Sequence, residues 1–184
     1  YLDVVFNSVH LQGSSSGKAI SMFGGSQLRL QNNIFTHTGG GYSLYSNSGS
    51  NIALADYNDY FTTGSNLAYW NTNVSDLATL QALNGMDAHS LSLDPLFESD
   101  TNLHVREVGL NGAGIPIPGV DRDIDGELRD PQNPDIGADE FVPVIANDAG
   151  VVAVAWPQKP FPAGSNPVQV VIRNFGLDTL TSLA

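Results

Sequence analysis

The chain has 184 residues, 41% of them apolar, enough for one core and part of a second. Its 7 basic and 19 acidic residues give a formal charge of −12. That opposes binding to nucleic acid or an anionic membrane, whose affinity comes largely from Lys and Arg. Cys is absent, so disulfides and thiolate-held metals are excluded, and no apolar run approaches the ~20 residues that span a bilayer.

In chain order, the first elements are short strands in a repeating frame. Phe6-Asn7-Ser8-Val9, Asn32-Asn33-Ile34-Phe35 and Tyr57-Asn58-Asp59-Tyr60 each set an Asn beside bulky apolar residues. Asn7, Asn33 and Asn58 are 26 and then 25 residues apart. A second set interleaves with them, its members also about 25 apart: Ala19-Ile20-Ser21-Met22, Tyr42-Ser43-Leu44-Tyr45 and Leu67-Ala68-Tyr69-Trp70. Gly24-Gly25, Gly39-Gly40-Gly41 and Ser48-Gly49-Ser50 supply turns. A fixed period in the twenties with apolar strands and such turns predicts a parallel β-helix. Asn7, Asn33 and Asn58 then stack at one bend as a structural ladder, their amides satisfying backbone groups exposed there.

Residues 71–85 leave this pattern. Ser75 as N-cap, Asp76 in the first turn, Leu77, Leu80 and Leu83 at helical spacing, and Gly85 as terminator predict a short amphipathic capping helix. Ser90–Leu93 and Asn102–Val105 read as further strands. Past Phe141 the composition changes. Residues 145–150 read as a connector, Val151–Trp156 and Val168–Ile172 as strands, with turns at 157–164 and 174–176. The predicted domains are 1–142 and 143–184, the second incomplete. A strand in progress at the start and an element cut short at the end predict a segment of a longer protein.

Several phrases carry a resemblance. Asp56–Tyr60, Gly85–Ser90, Asp94-Pro95-Leu96-Phe97, Leu103-His104, Asp123–Arg129 and above all Asp135-Ile136-Gly137-Ala138-Asp139-Glu140-Phe141 follow one another. Together they resemble the C-terminal end of secreted, right-handed parallel β-helix proteins of the pectate-lyase-like superfamily, of the Bacteroidetes type. The tail resembles the start of an adhesion-type immunoglobulin-like module. The implied fold is all-β: a right-handed parallel β-helix with a short capping helix, then a partial immunoglobulin-like β-sandwich. The implied location is extracellular or the bacterial cell surface.

Function must be argued from sites. Asp121, Asp123 and Asp125 alternate ahead of Gly126, as in the first half of a calcium loop, though the twelfth position of that frame is Gln132. Calcium is thus a possible ligand. Asp135, Asp139 and Glu140 read as structural, with Arg129 pairing to one of them. Asp87 and His89, two apart, would share a strand face, and His104, His10 and His37 are isolated imidazoles. Tyr42, Tyr45, Tyr69 and Trp70 are candidate glycan-binding residues.

No catalytic set is visible. A lyase of the family needs calcium-binding carboxylates with a Lys or Arg base, and a hydrolase needs paired carboxylates. Residues 1–70 offer Lys18, Arg29, Asp3, Asp56 and Asp59. The expected function is a structural and adhesive segment of a large secreted or surface protein, with a polysaccharide or cell-surface glycan as partner. One alternative is the end of a polysaccharide lyase or glycoside hydrolase whose active site lies upstream. Another is a cargo segment recognised by bacterial secretion machinery. Neither nucleic acid nor direct membrane insertion is expected.

Overall fold

A computed structural model describes residues 2–143, 149–157, 163–174, 179 and 181. Contacts divide the chain into two units, Tyr1–Pro143 and Val144–Ala184. Among the described residues no helix is long and apolar enough to cross a membrane.

Ten strands lie in the first unit. They are β1 (Leu2–Val5), β2 (Ser8–Leu11), β3 (Lys18–Met22), β4 (Leu28–Gln31) and β5 (Ile34–His37). Then come β6 (Tyr42–Ser46), β7 (Ile52–Asp56), β8 (Asp59–Thr62), β9 (Ala68–Trp70) and β10 (Asn73–Val74). They form sheets ordered β1-β4-β7, β2-β5-β8 and β10-β9-β6-β3. Pairing is parallel between successive repeats: Val4 faces Leu30, Ser8 faces Ile34, and Ile34 faces Asp59. Among these ten strands β10 alone runs antiparallel, folding back on β9 after Asn71, whose φ is 56°.

One backbone device recurs where the chain passes from the first sheet to the second. Phe6, Asn32 and Tyr57 have φ of 54°, 56° and 57°, the left-handed region, and each directly precedes a ladder asparagine. A non-Gly residue there is held against a cost of order 1–3 kcal/mol. The opposing force is the amide network described below.

The core has two compartments because β5 is buried on both faces, as strands in parallel sheets commonly are. Phe35 joins Leu30, Leu44, Tyr60, Trp70 and Leu80 in the main cluster. Its neighbour Ile34 points the other way, into a second cluster with Val105, Leu110 and Ile136. That second cluster is supplied by residues 91–141, a layer of loops against the outer face of β2-β5-β8. It contains neither of the strands expected at 90–93 and 102–105. Leu91 makes only an isolated bridge to Asp59, its N–H and carbonyl bonding to the Asn58 and Tyr60 backbone, and the ladder stops there because the Leu93 N–H turns to the Asp59 carboxylate.

The short helix α1 spans Leu77–Asn84. Its N-cap is Asp76, whose carboxylate accepts from the Thr79 N–H and from the Ser75 hydroxyl, so Ser75 supports the cap. Gly85 ends it at φ 67°. Leu80 is buried, whereas Leu83 is 50% exposed.

In the second unit β11 (Ala149–Trp156) and β12 (Gln169–Asn174) pair antiparallel with two register shifts. The connector expected at 145–150 and the turns expected at 157–164 and 174–176 lie partly outside the described residues.

The expected architecture is corrected on these findings. The described residues form an all-β arrangement of small sheets of two to four strands, mostly parallel, with one short helix. They do not form the expected right-handed parallel β-helix followed by part of an immunoglobulin-like sandwich. Among the described residues of the second unit there is one antiparallel pair and no second sheet. The physical reason is that a period near 25 residues sets which strands pair and in what register. It does not set how small sheets close around one another, or with what hand.

Candidate functional site

The strands place a row of rings on the four-stranded sheet. Tyr45 lies opposite Tyr69 in the parallel register, and their rings stack with centroids 4.6 Å apart at 12°. Tyr42 meets both edge-on, at 5.6 and 6.1 Å. Strict alternation would set Tyr42 and Tyr45 on opposite faces. The strand departs from it here: Ser43 and Leu44 are both buried, and the flanking tyrosines are half-exposed on one side. Ser43 is drawn inward by donating to the Phe35 carbonyl at 2.8 Å.

Phe23, 65% exposed, adds a fourth ring 5.7 Å from Tyr45, and the Lys18 ammonium lies 4.5 Å from the Tyr45 centroid. Tyr42 donates its hydroxyl to Asn73 Oδ1 at 2.7 Å. Trp70 does not belong to the row. It is 8% exposed and joins the core, packed so closely on Gly49 that a Cβ there would lie 2.5 Å from the indole.

The three ladder asparagines form one chain of hydrogen bonds. Asn7 Nδ2 donates to Asn33 Oδ1 and Asn33 Nδ2 to Asn58 Oδ1, both at 2.9 Å. Each Oδ1 also accepts the backbone N–H of the preceding asparagine in the row. The amides donate in turn to carbonyls of the adjoining strands, Asn33 to Val4 and Asn58 to Leu30, both at 2.8 Å. Asn58 ends the row by donating its N–H to Ser90 Oγ.

Asp121, Asp123 and Asp125 do not converge on one point. Asp123 is occupied by backbone: Oδ1 accepts from Asp125 and Glu127, and Oδ2 from Glu140. Its pKa lies below the usual carboxylate range; burial pushes it up, but these N–H donors and Arg129 outweigh that. Asp125 turns instead toward His104, whose Nε2 lies 2.8 Å from Asp125 Oδ2 and 3.9 Å from Asp139 Oδ1. Ligand atoms of His104, Asp125 and Asp139 all lie within 4.8 Å of one another, and this is the group among the described residues able to hold a metal ion. Sequence reasoning missed it because its members come from three irregular segments with no shared periodicity. The hydrogen bond that Asp125 accepts from His104 raises the His104 pKa, and burial raises that of Asp139.

Asp87 and His89 do not meet. Asp87 is fully buried at φ 61° and accepts from Tyr60, Ser90 and Asn84. His89 stacks on Tyr57 at 4.6 Å and reaches Asp56 Oδ2 at 2.8 Å. His10 packs on Phe97 and contacts Thr38 Oγ1. His37 is buried, its Nδ1 accepting from Gly39 and Gly41.

The phrase at 135–141 acts as a lock. Gly137, at φ +110°, lies where a Cβ would come within 2.6 Å of Ile34 Cδ1, so only glycine fits. Asp135 accepts from Gly112, Asn111 and Phe141. Arg129 pairs with Glu140 at 3.3 Å and donates to the Gly137 and Ala138 carbonyls.

The chain matches no protein-family model, no curated protein and no solved structure. Function therefore has to be read from the geometry above.

Proposed function

We propose that this chain is a non-catalytic structural and adhesive segment that binds a neutral glycan along the row formed by Tyr42, Tyr45 and Tyr69. The observation that carries this reading is the tyrosine row itself, stacked at 4.6 Å and extended by the exposed Phe23 ring. Tyrosine offers apolar area together with a hydroxyl that bonds to water or ligand, which suits sugars, whose rings carry apolar C–H faces and hydroxyl rims. The stacked faces of Tyr45 and Tyr69 cover each other, so a sugar meets their edges, their hydroxyls and the face of Phe23. Contact of this kind is weak for one site, with Kd on the order of 1 mM, or about −4 kcal/mol. The charge of −12 favours neutral over acidic glycans, since a uronate polymer would be repelled. Composition supports a secreted or surface-attached setting: Gly, Asn and Ser are abundant and Lys is scarce.

The test is a titration with neutral and acidic oligosaccharides, followed by NMR of the tyrosine ring signals. Neutral sugars are expected to shift Tyr45 and Tyr69. Tyr45→Ala and Tyr69→Ala should weaken binding by about fivefold or more, about 1 kcal/mol each. Absence of any tyrosine shift at about 10 mM of every sugar, with the chain folded, would sink the reading.

A further inference from the structure

Residues 102–105, 123–126 and 135–141 meet beside a cleft of about 440 Å³. His104, Asp125 and Asp139 line it together with Phe6, Asn7 and Ser8. His104 Nδ1 donates to Asn102 Oδ1, which fixes the ring and leaves Nε2 as the nitrogen facing the two carboxylates. Asp139 is anchored from behind, Oδ2 accepting the Val105 N–H. Its side chain is only 7% exposed, yet among the described residues Oδ1 accepts no hydrogen bond and is directed at His104. A carboxylate held in place through Oδ2, with Oδ1 turned to the imidazole nitrogen at 3.9 Å, leaves room for a cation between the two.

We infer that His104, Asp125 and Asp139 form a binding site for a first-row divalent cation of the Zn²⁺ class. The donor set decides the class. Ca²⁺ takes six to eight oxygens, whereas imidazole with carboxylate suits Zn²⁺ and its neighbours. Donors about 2.0–2.1 Å from a tetrahedral ion lie roughly 3.3 Å from one another. The present separations of 2.8 and 3.9 Å from Nε2 bracket that value. Asp125 is about half exposed and free to adjust, while His104 is fixed by Asn102 and Asp139 by Val105. Three protein ligands leave a position open to the cleft for water. The bound ion ties three loop segments together, and the site is independent of the tyrosine row.

The test uses the full chain stripped with chelator, then titrated calorimetrically with Zn²⁺ and separately with Ca²⁺. One Zn²⁺ should bind per chain, with Ca²⁺ far weaker. His104→Gln and Asp139→Asn should each weaken Zn²⁺ binding at least tenfold, and Asn102→Ala, which frees the ring behind the ligand, by about tenfold. His89→Ala, at the separate Asp56 pair, should leave it unchanged. His104 is exposed, so its variant tests the site without unfolding the chain; a melting curve checks this. Zn²⁺ affinity unchanged in His104→Gln, lost in His89→Ala, or absent from the native chain would each overturn the assignment.

Discussion

Two regions of the first unit solve the same problem, pairing buried backbone groups, by opposite means. Residues 2–74 use parallel ladders between repeats, and side chains add to them at one corner through Asn7, Asn33 and Asn58. Residues 86–143 have almost no ladder. Beside turn bonds to backbone carbonyls, many of their N–H groups go to carboxylates: Asp123 accepts three, Glu140 accepts from Asp130 and Asp135, and Asp135 from Gly112 and Phe141. The repeat region distributes its stability over many equivalent bonds. The loop layer concentrates it in a few acidic side chains and one arginine, which also accounts for much of the acidic excess.

The sharpest way to break the repeat region is at the middle of the amide row. Asn33 is fully buried and bonded on both sides, whereas Asn7 is exposed at the end. Asn33→Ala removes bonds to Val4, Gln31, Asn7 and Asn58 and strands buried carbonyls. It should cost about 3–5 kcal/mol, and Asn7→Ala about 1 kcal/mol or less. Urea denaturation checks both. Equal losses would mean that the row is not a connected network.

That contrast also explains what the sequence discloses. The 26- and 25-residue spacing is the pairing offset at that corner, so Asn7, Asn33 and Asn58 could be matched from periodicity. On the four-stranded sheet the offset is 24, so a period of 25 sets Tyr45 against Trp70 instead of Tyr69. Trp70 shared the period but not the environment, because neighbours on a strand face opposite ways and Trp70 faces the core. Closure and handedness are not written in a period. In the loop layer there is no period at all, so the meeting of His104 with Asp125 and Asp139 was invisible. So was the separation of Asp87 from His89, since a residue at φ 61° is no strand residue.

Asp59 lies where the two regions touch, and pH tests that contact. It is fully buried on β8, with Oδ1 accepting the Leu93 N–H and Oδ2 without a partner among the described residues. Burial pushes its pKa up to about 7, with Asp94 and Glu107 adding to the rise and the Leu93 bond opposing it. In an unfolded chain the value is about 3.9. The folded state therefore holds the extra proton between these values. This contribution to stability is complete below about pH 4 and is lost as pH rises toward 7. The loss is about 2–4 kcal/mol. Asp59→Asn keeps the Leu93 bond and cannot ionise. It should match the native chain near pH 4 and exceed it at pH 8. Parallel stability curves for the two chains across that range would show that Asp59 is hydrated in solution and the contact looser than described.

The smallest expected effect sharpens the other side of the comparison. In the loop layer, charge alone does not explain Arg129. Its guanidinium is buried, reaches Glu140 and two carbonyls at once, and lies 4.0 Å from the Phe6 ring centroid. A planar fork can hold these partners together, and a lysine ammonium on a flexible stem cannot. Arg129→Lys keeps the charge, so a layer held by net electrostatics would barely notice it. A layer held by directed bonds should lose about 1–3 kcal/mol. The loss should show as faster hydrogen exchange at Gly137 and Ala138, while the Asn33 amide in the repeat region stays protected. If Asn33 exchanged faster to the same degree, the two regions would open as one cooperative unit. The division between ladder-held strands and carboxylate-held loops would then describe geometry without describing stability.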